Sequence, residues 1–245
     1  MPASLSFEQH TQVVSDSGRR LASLAGSAGL DAPVPTCPTW TAAHLVAHQA
    51  MVHRWAASHV RGEGGEARSQ TEIREQEPDL LGYYRDGLTE LVQALSKAPA
   101  DLKAMTFLAD VSTPREFWAR RQAHETTIHM VDAVAAKLER VPRADEADVP
   151  VEVAVDGIDE LLRGFYSRGK AKLPPGAFVV APTDSPRRWV VTVAEKLTVT
   201  DDGPGDEVSG TAAQLYLGLW NRGDEITASG DFVERWRAAQ RIRWS

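Results

Sequence analysis

The clearest helix start in the N-terminal half of the chain opens residues 113–138, which read T-P-R-E-F-W-A-R-R-Q-A-H-E-T-T-I-H-M-V-D-A-V-A-A-K-L. Its first four residues, Thr113 to Glu116, form a capping box with a proline at the first helical position, which is a strong start signal for an α-helix. The helical pattern runs to about Leu138, and Pro142 follows soon after. The sequence therefore predicts one long helix over residues 114–138.

Three further amphipathic segments precede this helix and predict helices over about residues 7–24, 41–60 and 78–97. Loops rich in glycine or proline separate them. Four helices of this length favour a bundle. We therefore predict an all-α four-helix bundle as the first domain, at residues 1–144.

The pattern changes after Pro142, where β-like runs appear between helical segments. The predicted elements are a helix at 151–166, strands at 177–182, from 189 and at 196–200, a turn at 201–206, and helices at 211–220 and 232–243. This mixture predicts a second, smaller α+β domain at residues 145–245.

The composition is that of an ordinary globular protein, with 42% hydrophobic and 25% charged residues among 245. A net charge of −7 argues against nucleic-acid binding, which needs a basic surface. No apolar run approaches the ~18 residues of a membrane span, and the first residues lack the pattern of a signal peptide. The single cysteine, Cys37, excludes an intrachain disulfide. We therefore expect a cytoplasmic protein, and its oligomeric state is not readable from these features.

One histidine of the second predicted helix lies in a stripe that should face the core. With about 100° per residue, Leu45, Met51, Val52 and Trp55 all fall within about 60° of His48. A buried imidazole needs a partner, since an unpaired buried polar group costs roughly 1–3 kcal/mol. His48 is therefore either a hydrogen-bonded core residue or a metal ligand.

The long helix offers two complementary ligands. Glu125 and His129 are spaced i,i+4, so their side chains project from one face, whereas His124 points elsewhere. Together with His48 they would form a site of two imidazoles and one carboxylate, which suits catalytic zinc and also iron(II). The alternative is an exposed pair worth a few tenths of a kcal/mol.

Two nearby residues have weaker claims on the same site, and the single cysteine is a separate candidate. Asp132, three residues after His129, is placed to orient its ring, and a surface salt bridge is the alternative for it. Arg121, four before Glu125, is placed to pair with it or with an anionic substrate, and a surface salt bridge is an equal alternative for it. Cys37 is either a nucleophile near a helix N-terminus or, by the usual behaviour of free cysteine, a buried structural thiol.

Three stretches resemble the mycothiol-dependent maleylpyruvate isomerase family. They are V-P-T-C-P-T-W-T-A-A-H-L-V-A-H, W-A-R-R-Q-A-H-E-T-T-I-H-M-V-D-A and V-S-G-T-A-A-Q-L-Y-L-G-L-W-N-R-G-D. The resemblance implies a DinB-like metal-binding N-terminal domain in which His48, Glu125 and His129 are the ligands. It also implies a C-terminal domain in which Arg222 is catalytic.

The resemblance further implies a zinc ion that favours the thiolate of mycothiol, the thiol cosubstrate. That thiolate would attack a small electrophile, in an isomerase by adding to a cis double bond and leaving again, in an S-transferase by remaining attached. Arg222 would hold a carboxylate or stabilise an enolate. The residues leave two alternatives open: a hydrolase with zinc-activated water, or a non-catalytic metal- or ligand-binding protein.

Overall fold

The computed structural model describes residues 5–65, 68–108, 112–167, 173, 175–229 and 231–239. Within these residues the chain forms two compact units. The first contains residues 5–107 and 112–142, and the second contains residue 108 and residues from 143 onward. The first is helical and the second contains a sheet, as the sequence predicts.

The helical unit is built from α1 (Phe7–Ala28), α2 (Ala42–Arg61), α3 (Gln70–Gln76), α4 (Leu80–Lys97) and α5 (Pro114–Leu138). The long helix α5 has the predicted bounds, with Thr113 as its N-cap and Pro114 in its first turn. Helix α1 continues past Gly26 to Ala28, four residues beyond the predicted end. A glycine inside a helix costs only about 1 kcal/mol, and this helix ends instead where Gly29 takes a φ of 92°.

Helix α5 lies in the middle of this unit, and nearly every side chain along its central turns is buried. Helices α1 and α2 pack against α5, and α4 packs against α1 and α2. Helix α1 approaches α4 closely at Gly18, where a Cβ atom would lie 2.6 Å from Leu88 Cδ1. A larger residue at this position would therefore require the Leu88 side chain to shift.

The short helix α3 is absent from the sequence prediction. It has only seven residues, and Ile73 is its one buried residue among those described. Its start is nevertheless well formed, since Ser69 and Glu72 make a capping box. Helix α3 packs against α2, which brings new polar side chains beside the predicted metal-binding turn.

The second unit begins with α6 (Ala144–Ala147) and α7 (Val151–Asp159), which continues as a π-helical segment over Glu160–Phe165. The remaining elements are β1 (Gly176–Pro182), β2 (Trp189–Val193), β3 (Leu197–Thr200), β4 (Asp206–Gly210), α8 (Ala212–Leu219), β5 (Thr227–Ala228) and α9 (Phe232–Ala239). Among the described residues, the five strands form one sheet in the order β3-β2-β1-β4-β5.

Strands β4 and β5 are also absent from the sequence prediction. In β4 only Val208 is buried, so the strand has no alternating apolar pattern to reveal it. It pairs in parallel with β1, far away in sequence, while β1, β2 and β3 are antiparallel neighbours. The predicted last helix is present from Phe232 to Ala239, and residues 240–243 lie outside the described residues. No helix in the described part of the chain is long and apolar enough to cross a bilayer.

Candidate metal centre

Three side chains from α2 and α5 converge inside the helical unit. His48 Nε2 lies 3.4 Å from Glu125 Oε1, and His129 Nε2 lies 3.3 Å from the same oxygen. The three potential ligand atoms all lie within 4.8 Å of one another. The residues are 1%, 3% and 4% exposed, respectively for His48, Glu125 and His129. One imidazole from α2 thus meets a carboxylate and an imidazole from adjacent turns of α5.

The Glu125 carboxylate divides its two oxygens between different partners. Oε1 faces the two histidines, and Oε2 accepts from Arg121 Nη2 at 3.2 Å. Burial alone would raise the pKa of Glu125, but His129, His48 and Arg121 together hold it well below its ordinary value. Arg121 itself is fully buried, so its pair with Glu125 is an interior contact and not the surface salt bridge that sequence left open. The carboxylate is therefore an anion in a dry environment.

Asp132 fixes the orientation of the His129 ring, as its spacing suggested. Its Oδ2 accepts from His129 Nδ1 at 2.8 Å, which turns His129 Nε2 toward Glu125. Burial lowers the pKa of His129, but the hydrogen bonds to Asp132 and Glu125 outweigh it and raise that pKa to about 9. An imidazole held by a carboxylate in this way is a common arrangement behind metal-ligating histidines.

The loop before α2 adds two further contacts to Asp132. Thr36 Oγ1 donates to Asp132 Oδ1 at 2.6 Å, and Cys37 Sγ donates to Asp132 Oδ2 at 3.5 Å. Cys37 is half-buried, and its thiol is one of the partners of this carboxylate. The proline-rich loop is thereby tied to α5 at the residue that orients His129.

His48 is held in a different way. Its pKa is lowered, chiefly by burial, which favours the neutral imidazole that a metal ion requires. The Trp40 ring lies 5.0 Å from the His48 ring and 5.9 Å from the His129 ring, measured between centroids. The side chain of Gln70, from α3, opposes that lowering of the His48 pKa. The sequence pattern predicts neither Trp40, whose ring packs against both histidines, nor Gln70 as a neighbour of the site.

The donor set fits a divalent cation. Two imidazole nitrogens and one carboxylate oxygen, all buried and close together, match three-ligand catalytic zinc, and they equally match iron(II) sites with two histidines and one carboxylate. The anionic Glu125 and the oriented His129 Nε2 would complement a positive charge at their meeting point.

The remaining histidines of α2 and α5 have other partners. His124 is fully buried on α5 and its ring lies 6.1 Å from that of His10. His53, which the helical wheel places off the core stripe, is fully buried too, because α4 covers that side of α2 and Tyr84 lies 5.4 Å from its ring. His53 Nε2 contacts Thr126 Oγ1 at 3.0 Å. Burial lowers the pKa of His53 to about 3, so it is a neutral core residue.

Arg222 belongs to the sheet-containing unit. It follows α8 and its Nη1 donates to the carbonyl oxygen of Trp220 at 3.1 Å. Burial raises the pKa of Tyr166, and the positive charge of Arg222 opposes that rise. The cation therefore lies near a half-buried phenol, and its own side chain is also partly exposed.

Comparisons with known proteins give consistent matches over both units. The family description "Mycothiol maleylpyruvate isomerase N-terminal domain" matches residues 11–134, and "MDMPI C-terminal domain" matches residues 152–234. No curated protein sequence matches the chain.

Two solved structures resemble the whole chain. A crystal structure of the mycothiol-dependent maleylpyruvate isomerase has a TM-score of 0.67 at 18% identity, covering 94% of this chain and 96% of the other. A histidine-to-alanine mutant of the mycothiol-dependent maleylpyruvate isomerase has a TM-score of 0.65 at 16% identity, with the same coverage. At these identities the likeness shows the fold.

Proposed function

The chain belongs to the mycothiol maleylpyruvate isomerase family, and we propose that it is a zinc-dependent, thiol-using enzyme. Its proposed activity is that of a mycothiol-dependent isomerase or S-transferase acting on a small electrophile. The observation that carries the proposal is the buried convergence of His48, Glu125 and His129, with ligand atoms within 4.8 Å of one another. One carboxylate oxygen and two imidazole nitrogens, buried and close together, are the donor set of a catalytic zinc site.

His48 Nε2, His129 Nε2 and Glu125 would hold the zinc ion. When bound, zinc would act as the positive charge that favours the thiolate form of a thiol at neutral pH. Asp132 accepts from His129 Nδ1, so Nε2 would be the coordinating atom once zinc displaces its proton. Arg121 keeps Glu125 ionised and holds one of its oxygens, so the carboxylate cannot turn away.

The thiol of mycothiol would add to an electrophilic carbon of the substrate. The sulfur forms a bond to one carbon of a cis double bond, and the electron pair of that double bond moves onto the neighbouring carbonyl as an enolate. Rotation about the former carbon–carbon double bond, which is now single, and expulsion of the thiolate give the trans isomer. If the thiolate is not expelled and the enolate takes up a proton, the product is an S-conjugate, which is the transferase outcome.

Arg222 is the residue we propose to hold a carboxylate or the enolate of this substrate, since a guanidinium stabilises negative charge that develops during a reaction. Two finer structural proposals accompany it. We assign the helical unit to the DinB-like four-helix bundles, with α1, α2, α4 and α5 as the four helices, and we set the domain boundary near residue 144.

The decisive experiment is a mycothiol-consumption and isomerisation assay with maleylpyruvate and a panel of other electrophiles, on zinc-loaded and chelated protein. Metal analysis should find about one divalent ion per chain. His48→Ala, Glu125→Gln and His129→Ala should each abolish both metal content and turnover, whereas Glu63→Gln, the same chemical change at an exposed glutamate, should alter neither. Unchanged metal content in the three ligand variants would refute the site.

A metal hydrolase is the second candidate, because three protein ligands with an open position suit activated water as well as a thiol. Mycothiol dependence separates the two. Turnover that proceeds equally without mycothiol would favour the hydrolase and would reject the thiol mechanism. Metal that binds tightly, with turnover absent across the panel, would favour a purely structural metal.

A further inference from the structure

A buried polar cluster joins α2 to α5 beside the candidate metal centre. This cluster, the Thr126 cluster, consists of Gln49 and His53 from α2 and Thr126 from α5, all of them buried. Gln49 Nε2 donates to Thr126 Oγ1 at 3.3 Å, and His53 Nε2 lies 3.0 Å from the same hydroxyl oxygen. Gln49 Nε2 and His53 Nε2 are 2.9 Å apart. One hydroxyl of α5 is thus the meeting point of two polar side chains from α2.

Each helix carries its part of the Thr126 cluster next to a candidate metal ligand. Gln49 directly follows His48 in α2. Thr126 directly follows Glu125 in α5. Successive residues of a helix are about 100° apart around its axis, so the cluster lies at a different angle on each helix from the ligand candidates. Helices α2 and α5 therefore share two polar contacts, one in the cluster and one between His48 Nε2 and Glu125 Oε1 at 3.4 Å.

Two contacts at different angles constrain a motion that a single contact allows. A helix held at one point can still turn about its own axis, whereas a second contact at another angle opposes that rotation. Burial lowers the pKa of His53 to about 3, and the Glu125 carboxylate opposes this lowering. His53 is therefore a neutral ring close to the site, and the cluster contributes hydrogen bonds to the α2–α5 contact without a charge of its own.

The Thr126 cluster is a weak source of stability. Among the described residues, Gln49 Oε1 and His53 Nδ1 are buried without a hydrogen-bond partner. A buried polar atom without a partner lowers stability, which offsets the gain from the hydrogen bonds that are made. Buried polar contacts can nevertheless fix how two helices pack against each other, because only one arrangement pairs them.

We propose that Thr126, through its contacts with Gln49 and His53, is a positioning residue for the metal centre. Its hydroxyl holds α2 against α5 in the arrangement in which His48 meets the two candidate ligands of α5. A metal ion would then bind a site whose geometry already exists, so little binding energy would be spent on ordering the two helices. This inference rests on the proposed function, since it takes these three residues to be the zinc ligands.

Thr126→Val tests the positioning role, because it removes the hydroxyl and keeps the branched shape of the side chain. It should raise the dissociation constant for zinc about fivefold or more, as expected for the loss of one or two neutral hydrogen bonds. It should also change the visible absorption spectrum of bound cobalt(II), which reports coordination geometry. Thr126→Ser keeps the hydroxyl and should restore the wild-type affinity and spectrum.

The matched control is Thr127→Val, the same substitution at the next residue of α5. The Thr127 hydroxyl lies 3.1 Å from Ser17 Oγ of α1, so it belongs to a different helix contact. Thr127→Val should leave the zinc affinity within about twofold of wild type and the cobalt(II) spectrum unchanged. An unchanged affinity and spectrum in Thr126→Val, an equal loss in Thr127→Val, or a failure of Thr126→Ser to restore the wild-type values would each overturn the proposal.

Two further results separate this proposal from folding and from the proposed function. If circular dichroism shows that Thr126→Val does not fold, Thr126→Ala removes the same hydroxyl with a residue that favours a helix, and the same criteria apply. If the wild type binds neither zinc nor cobalt(II), the proposed function is wrong and the positioning role falls with it. If the wild type binds zinc and Thr126→Val binds it equally well, only the positioning role is wrong.

Discussion

Asp132→Asn isolates the role of the carboxylate behind His129. The change keeps the size and shape of the side chain, so the fold of α5 should survive. It removes the negative charge that accepts from His129 Nδ1 at 2.8 Å and from Thr36 Oγ1 at 2.6 Å. The asparagine side chain has one acceptor oxygen where aspartate has two. If that oxygen accepts from His129, the amide nitrogen faces the donors of Thr36 and Cys37.

The magnitude follows from the kind of hydrogen bond that is lost. Hydrogen bonds to a charged group are worth about 1.5–3 kcal/mol and neutral ones about 0.5–1.5 kcal/mol. Replacing the carboxylate by an amide should therefore weaken the hydrogen bond that orients the His129 ring by roughly 1–2 kcal/mol. Groups that orient metal-ligating histidines usually change metal affinity by about 10- to 100-fold. We therefore expect the dissociation constant for zinc to rise at least about tenfold in Asp132→Asn.

Competition with a chromophoric chelator at fixed pH measures this constant. The control is Asp86→Asn, the same substitution at an exposed residue of α4, which should bind zinc like the wild type. Circular dichroism checks that Asp132→Asn keeps its helices. A zinc affinity within about twofold of wild type, or an equal loss in Asp86→Asn, would refute the idea that Asp132 works through His129.

Three further outcomes are expected. Because the pKa of His129 is raised to about 9, zinc must displace a proton from its Nε2, so zinc affinity should increase as pH rises toward 9, and a pH-independent zinc affinity in calorimetry would contradict this proton displacement. The zinc-free protein should lose the His129 contribution to folding stability as pH rises from about 6.5, the unfolded pKa, to about 9. Arg121→Gln should reduce the free energy of unfolding of zinc-free protein by about 3–5 kcal/mol, and by less when zinc neutralises Glu125, whereas equal losses in urea titrations with and without chelator would argue against the buried pair. Gly18→Ala should lower stability by about 1–3 kcal/mol because the new methyl group meets Leu88, and an unchanged thermal midpoint would show that Leu88 moves aside freely.

The sequence predicts the parts of the fold that carry strong local signals. Helix α5 begins with Thr113 as its N-cap and has the predicted bounds, and the family resemblance stated from three motifs is confirmed by the matches to both domains. Helix α3 and strand β4 escape because each buries a single residue, Ile73 or Val208, and because β4 gains its stability from a parallel partner far away in sequence. Local patterns do not contain such long-range pairings.

The candidate site shows the same division between local and tertiary information. Helical spacing was sufficient to propose Glu125 with His129, and the structure brings His48 to them. Spacing alone did not reveal that Arg121 is buried, because that depends on how neighbouring helices cover α5. The wheel also failed for His53, since α2 packs against α4 as well as α5 and so has more than one buried face.

The loop before α2 contacts Asp132, so the ordering of this loop and the binding of a metal ion at the proposed site should be thermodynamically coupled. Thr36 and Cys37 contact the carboxylate that orients His129, so ordering of this loop should raise affinity at the proposed zinc site by the same factor by which zinc would favour the ordered loop. Protection of the loop from proteases, measured with and without zinc, therefore reports the coupling free energy between the loop and the metal centre. In this way a connecting segment of the chain becomes an effector of the site rather than a mere link between α1 and α2.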